Sequence, residues 1–142
     1  MYKFMELAIE EAKKSGDDIP VGAVLVKDGK VIVKAFNKKE CDNDVTSHAE
    51  ILVLREGGKQ MNNWRLDECD LYVTLEPCPM CGWAILQARV KNLYYGSYDS
   101  RYGAFTSEID LQKLAGSKIK IYGGIMEKEC NTLLENYFKK IR

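Results

Sequence analysis

The chain contains a single histidine, His48, which stands two residues before an acid in the fragment His48-Ala49-Glu50. A second fragment, Pro77-Cys78-Pro79-Met80-Cys81, holds two cysteines in a C-x-x-C spacing. Imidazole nitrogen and thiolate sulfur are ligands that zinc takes in tetrahedral sites. These residue types and spacings predict that His48, Cys78 and Cys81 bind one zinc ion and leave its fourth position to water.

Both fragments stand where a helix is predicted to begin. Free backbone N–H groups at a helix start lower the pKa of a thiol there. Glu50 is poorly oriented to be a ligand, but it can take a proton from the metal-bound water and deliver it to a leaving amine. That chemistry is hydrolytic deamination, and H-x-E followed by P-C-x-x-C is a signature of zinc nucleobase deaminases.

Two other interpretations of the cysteines stay open. A C-x-x-C pair can be a redox dithiol, although no complete thioredoxin pattern surrounds this one. A structural zinc site needs a fourth ligand, but Cys69 and Cys78 stand at opposite ends of one predicted strand that is itself roughly 20 Å long at ~3.3 Å per residue. Cys130 falls in the closing helix, where a small core residue is expected. Cys41, in the loop before His48, remains a candidate fourth ligand.

Composition limits the class of protein. The 142 residues predict one domain, over residues 1–142, and 21 basic against 21 acidic residues exclude a polycation or a disordered tail. No uncharged apolar stretch approaches the length of a membrane span. The charged, helical N-terminus argues against a signal peptide. The five cysteines do not form a dense disulfide framework, so reduced thiols in a cytoplasmic protein are expected.

Strands are predicted to alternate with helices, in the order α-β-β-α-β-α-β-α-β-α. The turn Asp28-Gly29 predicts a hairpin, Gly57-Gly58 a helix end, and residues 37–47 a loop. The segment between strands four and five is long enough for a helical crossover, so these two strands are expected to be parallel. The predicted elements are helices over 2–15, 48–57, 77–87, 107–116 and 126–141, and strands over 19–26, 31–36, 70–75, 93–96 and 119–122.

The chain resembles the cytidine-deaminase superfamily, and within it the bacterial tRNA adenosine deaminases most closely. The similarity extends over nearly the whole length. Pro79 between the cysteines also occurs in other deaminase branches, and Trp83 occupies a place that the family usually gives to glycine. The residues that carry the resemblance are Ile19 to Val24, Asn37, His48 to Glu50, Asn63 to Leu66, Leu71 to Cys78, Met80, Cys81, Ala88, Arg89, Tyr95, Gly96, Asp99, Gly103 and Ala104.

The alternation of strands and helices predicts a largely parallel sheet that helices cover on both faces and that one antiparallel hairpin opens. With the resemblance, the expected fold is three-layer α/β/α and cytidine-deaminase-like, with a five-stranded mixed sheet. The resemblance implies one zinc ion per subunit on His48, Cys78 and Cys81, with Glu50 shuttling protons. It further implies a homodimer that converts the wobble adenosine of a tRNA anticodon arm to inosine. In that family the asparagine at position 37 helps to hold the target nucleoside, and the aspartate at position 99 lies near the bound RNA.

A polymeric substrate requires residues outside the pocket that meet phosphates and stack on bases. The expected outer contacts are Lys38, Arg101, Lys139, Lys140 and Arg142, with aromatic residues beside them. The same charges also suit a solvated surface. Two other functions are therefore kept: a deaminase of free nucleobases or nucleosides, which the neutral net charge favours slightly, and a zinc-stabilised nucleic-acid-binding subunit without turnover.

Overall fold

A computed structural model of the chain describes residues 2–107 and 109–141. The predicted order of elements is confirmed, with one short helix added inside the predicted loop. None of the described helices is long and apolar enough to cross a membrane. The elements are α1 (Tyr2–Ala12), β1 (Gly22–Lys27), β2 (Lys30–Phe36), α2 (Lys39–Asp42), α3 (Ala49–Met61), β3 (Cys69–Leu75), α4 (Pro79–Ala88), β4 (Asn92–Ser97), α5 (Leu111–Ala115), β5 (Lys120–Tyr122) and α6 (Glu127–Lys140).

The five strands form one mixed sheet in the order β2-β1-β3-β4-β5. Strand β1 is antiparallel to both β2 and β3, whereas β3, β4 and β5 are parallel. The expected parallel pairing of strands four and five is thus confirmed. Side chains alternate between the two faces of each strand, so both faces of this sheet carry apolar residues that helices cover.

Each face of the sheet has its own core. Val24 and Val26 of β1 pack with α1, in a cluster that also holds Tyr72 of β3. Ala23 and Leu25, the alternate residues of β1, belong to the larger cluster on the opposite face, with α3 and α4. The structure therefore has the three layers that the family resemblance implied.

The prediction that Gly57-Gly58 ends a helix is wrong. Helix α3 continues to Met61 and is terminated by Asn62, whose φ of 52° is left-handed. Gly57 serves close packing instead, because a Cβ atom there would stand 2.5 Å from Cδ2 of the buried Leu25. The glycine thus lets α3 approach β1 closely.

The structure defines the starts of the two helices that carry the predicted zinc ligands, and one of these starts differs from prediction. Helix α4 begins at Pro79 rather than at Pro77, and Cys78 is its N-cap residue. Proline suits the first helical position because its fixed φ is helical and its missing N–H would have no partner in the helix. His48 is the N-cap residue of α3. The two starts pack against each other through the α3–α4 contact, next to the carboxyl end of β3.

Candidate active site

The predicted ligands come together at the starts of α3 and α4. The ligand atoms of His48, Cys78 and Cys81 all lie within 4.8 Å of one another. Nδ1 of His48 is 3.3 Å from Sγ of Cys81 and 3.8 Å from Sγ of Cys78. One imidazole and two thiols in this arrangement match the donor set of a zinc site with one position left open.

The remaining cysteines lie outside this cluster in the part of the chain that the structure describes. Cys41 is exposed on α2, and Cys69 and Cys130 are buried. The expectation that Cys130 is a core residue agrees with its place in the cluster under α1. Among the described residues the cluster therefore contains three ligands, and no third cysteine joins His48, Cys78 and Cys81.

Hydrogen bonds within the cluster favour the thiolate form of Cys78. The hydrogen bond from the Cys81 thiol, together with that from His48, lowers the pKa of Cys78 to about 4 against the opposing effect of burial. The backbone N–H of Cys81, in the first turn of α4, also lowers it. The pKa of Cys81 is raised, because it is the donor to Cys78 and is buried. A bound cation favours the ionised form of both.

Glu50, the second residue of α3, is buried and faces the same cavity as His48 and Cys78. Burial raises the pKa of Glu50 to about 7, with a smaller contribution from the charge of Cys78. A carboxyl group whose pKa is close to physiological pH can both accept and donate a proton there. The structure therefore holds the predicted proton carrier beside the predicted ligands.

A cavity of about 300 Å³ opens in front of these residues. Six of its lining residues are carboxylic acids, and one is lysine. Three lining residues, Lys39, Tyr102 and Tyr137, lie within two residues in the sequence of an expected outer contact, namely Lys38, Arg101 and Lys139. The cavity is lined by Asp17, Asp18, Ile19, Val21, Asn37, Lys39, Glu40, His48, Glu50, Leu75, Glu76, Cys78, Asp99, Tyr102 and Tyr137.

Asn37, expected to hold the substrate, lines the cavity and also ties its walls together. Its Oδ1 accepts a hydrogen bond from the backbone N–H of Ala49, at 2.8 Å, and its Nδ2 donates to the carbonyl of Ile19, at 3.0 Å. The first bond satisfies an N–H at the start of α3 that has no partner within the helix. Asn37 therefore fixes the start of the helix that carries His48 and Glu50.

Asp99 forms another part of the cavity wall, in the loop that follows β4. Its Oδ1 accepts from the backbone N–H groups of Arg101 and Tyr102, at 3.0 and 3.1 Å. Its own N–H donates to Oε1 of Glu76 at 3.1 Å. Asp99 thus shapes the turn that places Tyr102 against the cavity.

Glu76, for which the sequence suggested no role, organises this whole wall. It is 1% exposed, and its Oε2 accepts from the backbone N–H groups of Phe105, Thr106 and Ser107 at 3.1, 2.8 and 3.1 Å. The hydroxyl of Ser107 donates to Oε1. A Cβ atom on Gly103 would collide with the carboxyl group. An acid two residues before a metal-binding cysteine was the available sequence signal.

The four predicted outer cations that the structure describes lie outside the cavity lining. Nζ of Lys38 stands 4.9 Å from the ring centre of Phe36, and Arg101 stands over Tyr102. Lys139 and Lys140 are exposed in the last turn of α6. Arg142, the fifth, lies outside the described residues.

The end of α6 does reach the rim of the cavity. The hydroxyl of Tyr137 donates to the backbone carbonyl of Asp17 at 2.9 Å. Phe138 is exposed, whereas Tyr137 is half-buried and lines the cavity. The last helix is thereby anchored beside the site.

Comparison with known proteins supports this arrangement. Residues 1–97 match the family model for the cytidine and deoxycytidylate deaminase zinc-binding region. The chain is similar to the tRNA-specific adenosine deaminase of Agrobacterium fabrum, with 44% identity over 98% of this chain and 94% of the relative. It is 37% identical to the enzyme of the same name from Bacillus subtilis, over 98% of this chain and 89% of the relative.

Solved structures show the same similarity. One, from studies of A-to-I editing by tRNA:A34 deaminases at the wobble position of transfer RNA, superposes with a TM-score of 0.91 at 43% identity. The superposition covers 94% of this chain and 100% of the chain in the solved structure. A guanine deaminase from Nitrosomonas europaea, at 20% identity and a TM-score of 0.83 over 96% of this chain and 83% of its own, shares the fold.

Zinc content tests the ligand set. We expect Cys78→Ser to lose its zinc and Cys41→Ser to keep about one ion per chain, because of these two cysteines only Cys78 lies in the cluster. Elemental analysis of both purified variants measures this directly. Loss of zinc from Cys41→Ser as complete as that from Cys78→Ser would contradict the open three-ligand site.

Glu76→Gln tests the carboxylate that holds the loop wall. We expect a loss of about 1–3 kcal/mol in the free energy of unfolding at pH 7, because the amide nitrogen faces backbone donors. Urea unfolding measures this, with Glu40→Gln, an exposed acid on the cavity rim, as the matched control. Equal stability of the two variants would contradict the assignment.

The pH dependence of stability gives a second measurement on Glu76. Burial alone would raise its pKa, but the hydrogen bonds from Ser107, Thr106, Asp99 and Phe105 lower the pKa below the ordinary 4.5. A group whose pKa is lower in the folded state stabilises the fold above its unfolded pKa, and this stability is lost as the pH falls through the folded value. Below pH 4.5 the parent should therefore lose stability that Glu76→Gln never had. The free energies of unfolding of the two proteins should converge as the pH falls.

Proposed function

The chain belongs to the cytidine and deoxycytidylate deaminase zinc-binding family, and from this membership we propose that it converts adenosine to inosine at the wobble position of a tRNA. Relatives named tRNA-specific adenosine deaminase align with almost the whole chain. The observation that carries the proposal is the burial of Glu50 in the same cavity as His48 and Cys78. A binding module without turnover has no need of such a carboxylate.

The proposed reaction adds water to C6 of adenine and releases ammonia. His48, Cys78 and Cys81 would hold the zinc ion, which would supply a water made nucleophilic at neutral pH by a lowered pKa. Glu50 takes a proton from the water and passes it to the leaving amine. Asn37 keeps the start of α3 in place and has a second amide hydrogen available to the nucleoside. Asp99 and Tyr102 form the wall at which the flanking nucleotide enters.

One observation favours a small substrate as the second candidate function. Six carboxylic acids line the cavity against one lysine, and such a lining repels phosphates. Deamination of free guanine, cytosine, adenine or their nucleosides would need no phosphate contact at all. Under the tRNA proposal, only the flipped base enters the cavity, and the phosphates are met outside it, by Lys38, Arg101, Lys139 and Lys140; the expected contact Arg142 lies outside the described residues.

Substrate and mechanism are tested together with Glu50→Ala. We expect the parent to deaminate an anticodon stem-loop with adenosine at the wobble position, and the variant to lose at least 10²–10⁴ in rate, the usual worth of general acid–base catalysis. Inosine in the digested RNA and released ammonia are measured, beside free bases and nucleosides. Glu56→Ala, an exposed acid on the same helix, is the matched control.

The outcomes separate the candidate functions. Near-normal deamination by a zinc-loaded Glu50→Ala would contradict the role of Glu50. A parent that deaminates a free base or nucleoside but no stem-loop would contradict the tRNA proposal and favour the second function. A zinc-loaded parent that binds RNA but turns over none of the substrates would favour the binding module.

We also propose that the protein is a homodimer, formed through the surface between α3 and α4. An apolar groove runs there, lined among others by Ile51, Leu54, Trp64, Ala84 and Ala88. Trp64 is 65% exposed. An exposed apolar patch on a folded protein is typical of an interaction site. A two-fold axis would bring two copies of this groove face to face.

Analytical ultracentrifugation tests the dimer with Ala84→Glu. We expect the parent to sediment at twice the 16.2 kDa mass of one chain, and the variant to dissociate because it places two carboxylates in the apolar contact. Leu114→Glu is the matched control, because Leu114 is 80% exposed on α5, outside this groove. A monomeric parent would contradict the homodimer. A dimeric Ala84→Glu would show that the dimer does not form through this groove.

We infer finally that residues 1–142 act as one deaminase domain in the cytoplasm. The two core clusters lie on opposite faces of one sheet, which favours a single folding unit. The thiols of Cys78 and Cys81 bind metal only when reduced, and the cytoplasm keeps them so.

A further inference from the structure

A second groove, of about 610 Å³, lies at the far end of α4 from the zinc-ligand cluster. It is lined by the end of α4, the α4–β4 connection, the α5–β5 connection with the first residue of β5, and the segment before β3. We call it the basic groove. Five cations line it, Arg65, Arg89, Lys91, Lys118 and Lys120, all of them exposed.

The charge of this groove is strongly one-sided. Among its described lining residues, Asp67 is the single carboxylic acid, and it is paired with Arg65 at 3.1 Å. Four cations therefore remain against no further carboxylate in the described lining. The whole chain has equal numbers of acidic and basic residues, whereas six acids and one lysine line the catalytic cavity. The fold has separated the two signs of charge.

Backbone structure holds these cations in place. Strands β4 and β5 are parallel, with Asn92 opposite Lys120, and the N–H of Lys120 donates to the carbonyl of Lys91 at 3.3 Å. Arg89 caps α4 with a left-handed φ of 65°. The positive charges thus come from the same edge of the sheet and form one surface, although they belong to separate segments of the chain.

We propose that the basic groove binds the phosphate backbone of the RNA substrate, away from the base that enters the catalytic cavity. The proposal rests on the proposed function. Phosphates dominate the affinity of proteins for nucleic acids, and they are met by lysine and arginine. The acid-lined cavity does not supply that contact. Helix α4, about 15 Å long at 1.5 Å per residue, separates the two sites, a span that a stem-loop covers and a free base does not.

The test neutralises three lysines in the triple variant Lys91→Gln, Lys118→Gln and Lys120→Gln. The charge-retaining triple variant, with arginine at the same positions, shows whether charge alone is responsible. A matched triple variant with glutamine for Lys30, Lys34 and Lys128 removes three exposed lysines outside the groove. Fluorescence anisotropy gives Kd for the anticodon stem-loop across a salt series, and deamination assays give KM and kcat.

We expect the glutamine variant to raise Kd and KM for the stem-loop about tenfold or more at low salt. The slope of log affinity against log salt should fall by about 1 for each phosphate that the variant no longer binds. The kcat at saturation should stay unchanged, because the groove is remote from the reacting atoms. The arginine variant should behave as the parent, as should the control variant. The loop alone, as a single strand too short to reach the groove, should show no difference among the variants.

The failures are distinguishable. If the parent deaminates the stem-loop while the glutamine variant keeps its Kd, KM and salt slope, the groove is not an RNA site, and the proposed function stands. A control variant that weakens binding as much would show that net charge matters and not the groove, which also overturns the proposal. A parent that neither binds nor deaminates the stem-loop removes the proposed function and this inference together.

Discussion

Two helices begin at one point beside the carboxyl end of β3, and the site depends on that meeting. His48 and Cys78 are the N-cap residues of α3 and α4, and Cys81 lies in the first turn of α4. Their ligand atoms fall within 4.8 Å only because the sheet fixes both helix starts. Free N–H groups at these starts favour anionic sulfur. The chemistry of the site is therefore a consequence of where the two helices begin.

That meeting is maintained by contacts away from the ligands. Gly57 lets α3 lie close against Leu25 of β1, and Asn37 bonds the first N–H of α3. On the other side, Glu76 follows β3 and directly precedes Pro77 and Cys78. Its buried carboxylate gathers four backbone N–H groups of the loop after β4. One acid thus links the segment of the predicted metal ligands to the wall that carries Asp99.

Separation of charge gives the molecule two different surfaces. Acids surround the cavity, where a neutral base is to be handled, whereas cations collect at the amino ends of β4 and β5. The neutral net charge of the chain does not reveal this arrangement, because it sums the acids of the cavity and the cations of the basic groove. Association with RNA is governed by the local charge that phosphates meet. Under our proposals the reaction takes place at one end of α4, and the basic groove at its other end adds phosphate contacts to those expected at the rim of the cavity.

Much of the site was determined by sequence alone. The H-x-E and C-x-x-C fragments are local, and short-range spacing fixes which atoms can face one point, so the clustering of His48, Cys78 and Cys81 beside Glu50 was predictable. Apolar alternation and the length of the last crossover were sufficient for the mixed sheet with parallel β4 and β5. The tertiary structure decided the rest. The Gly57-Gly58 pair predicts a helix end, because a local pattern does not reveal that a glycine packs against Leu25. Glu76 and the basic groove join residues far apart in the chain, and only the pairing of strands brings such residues together.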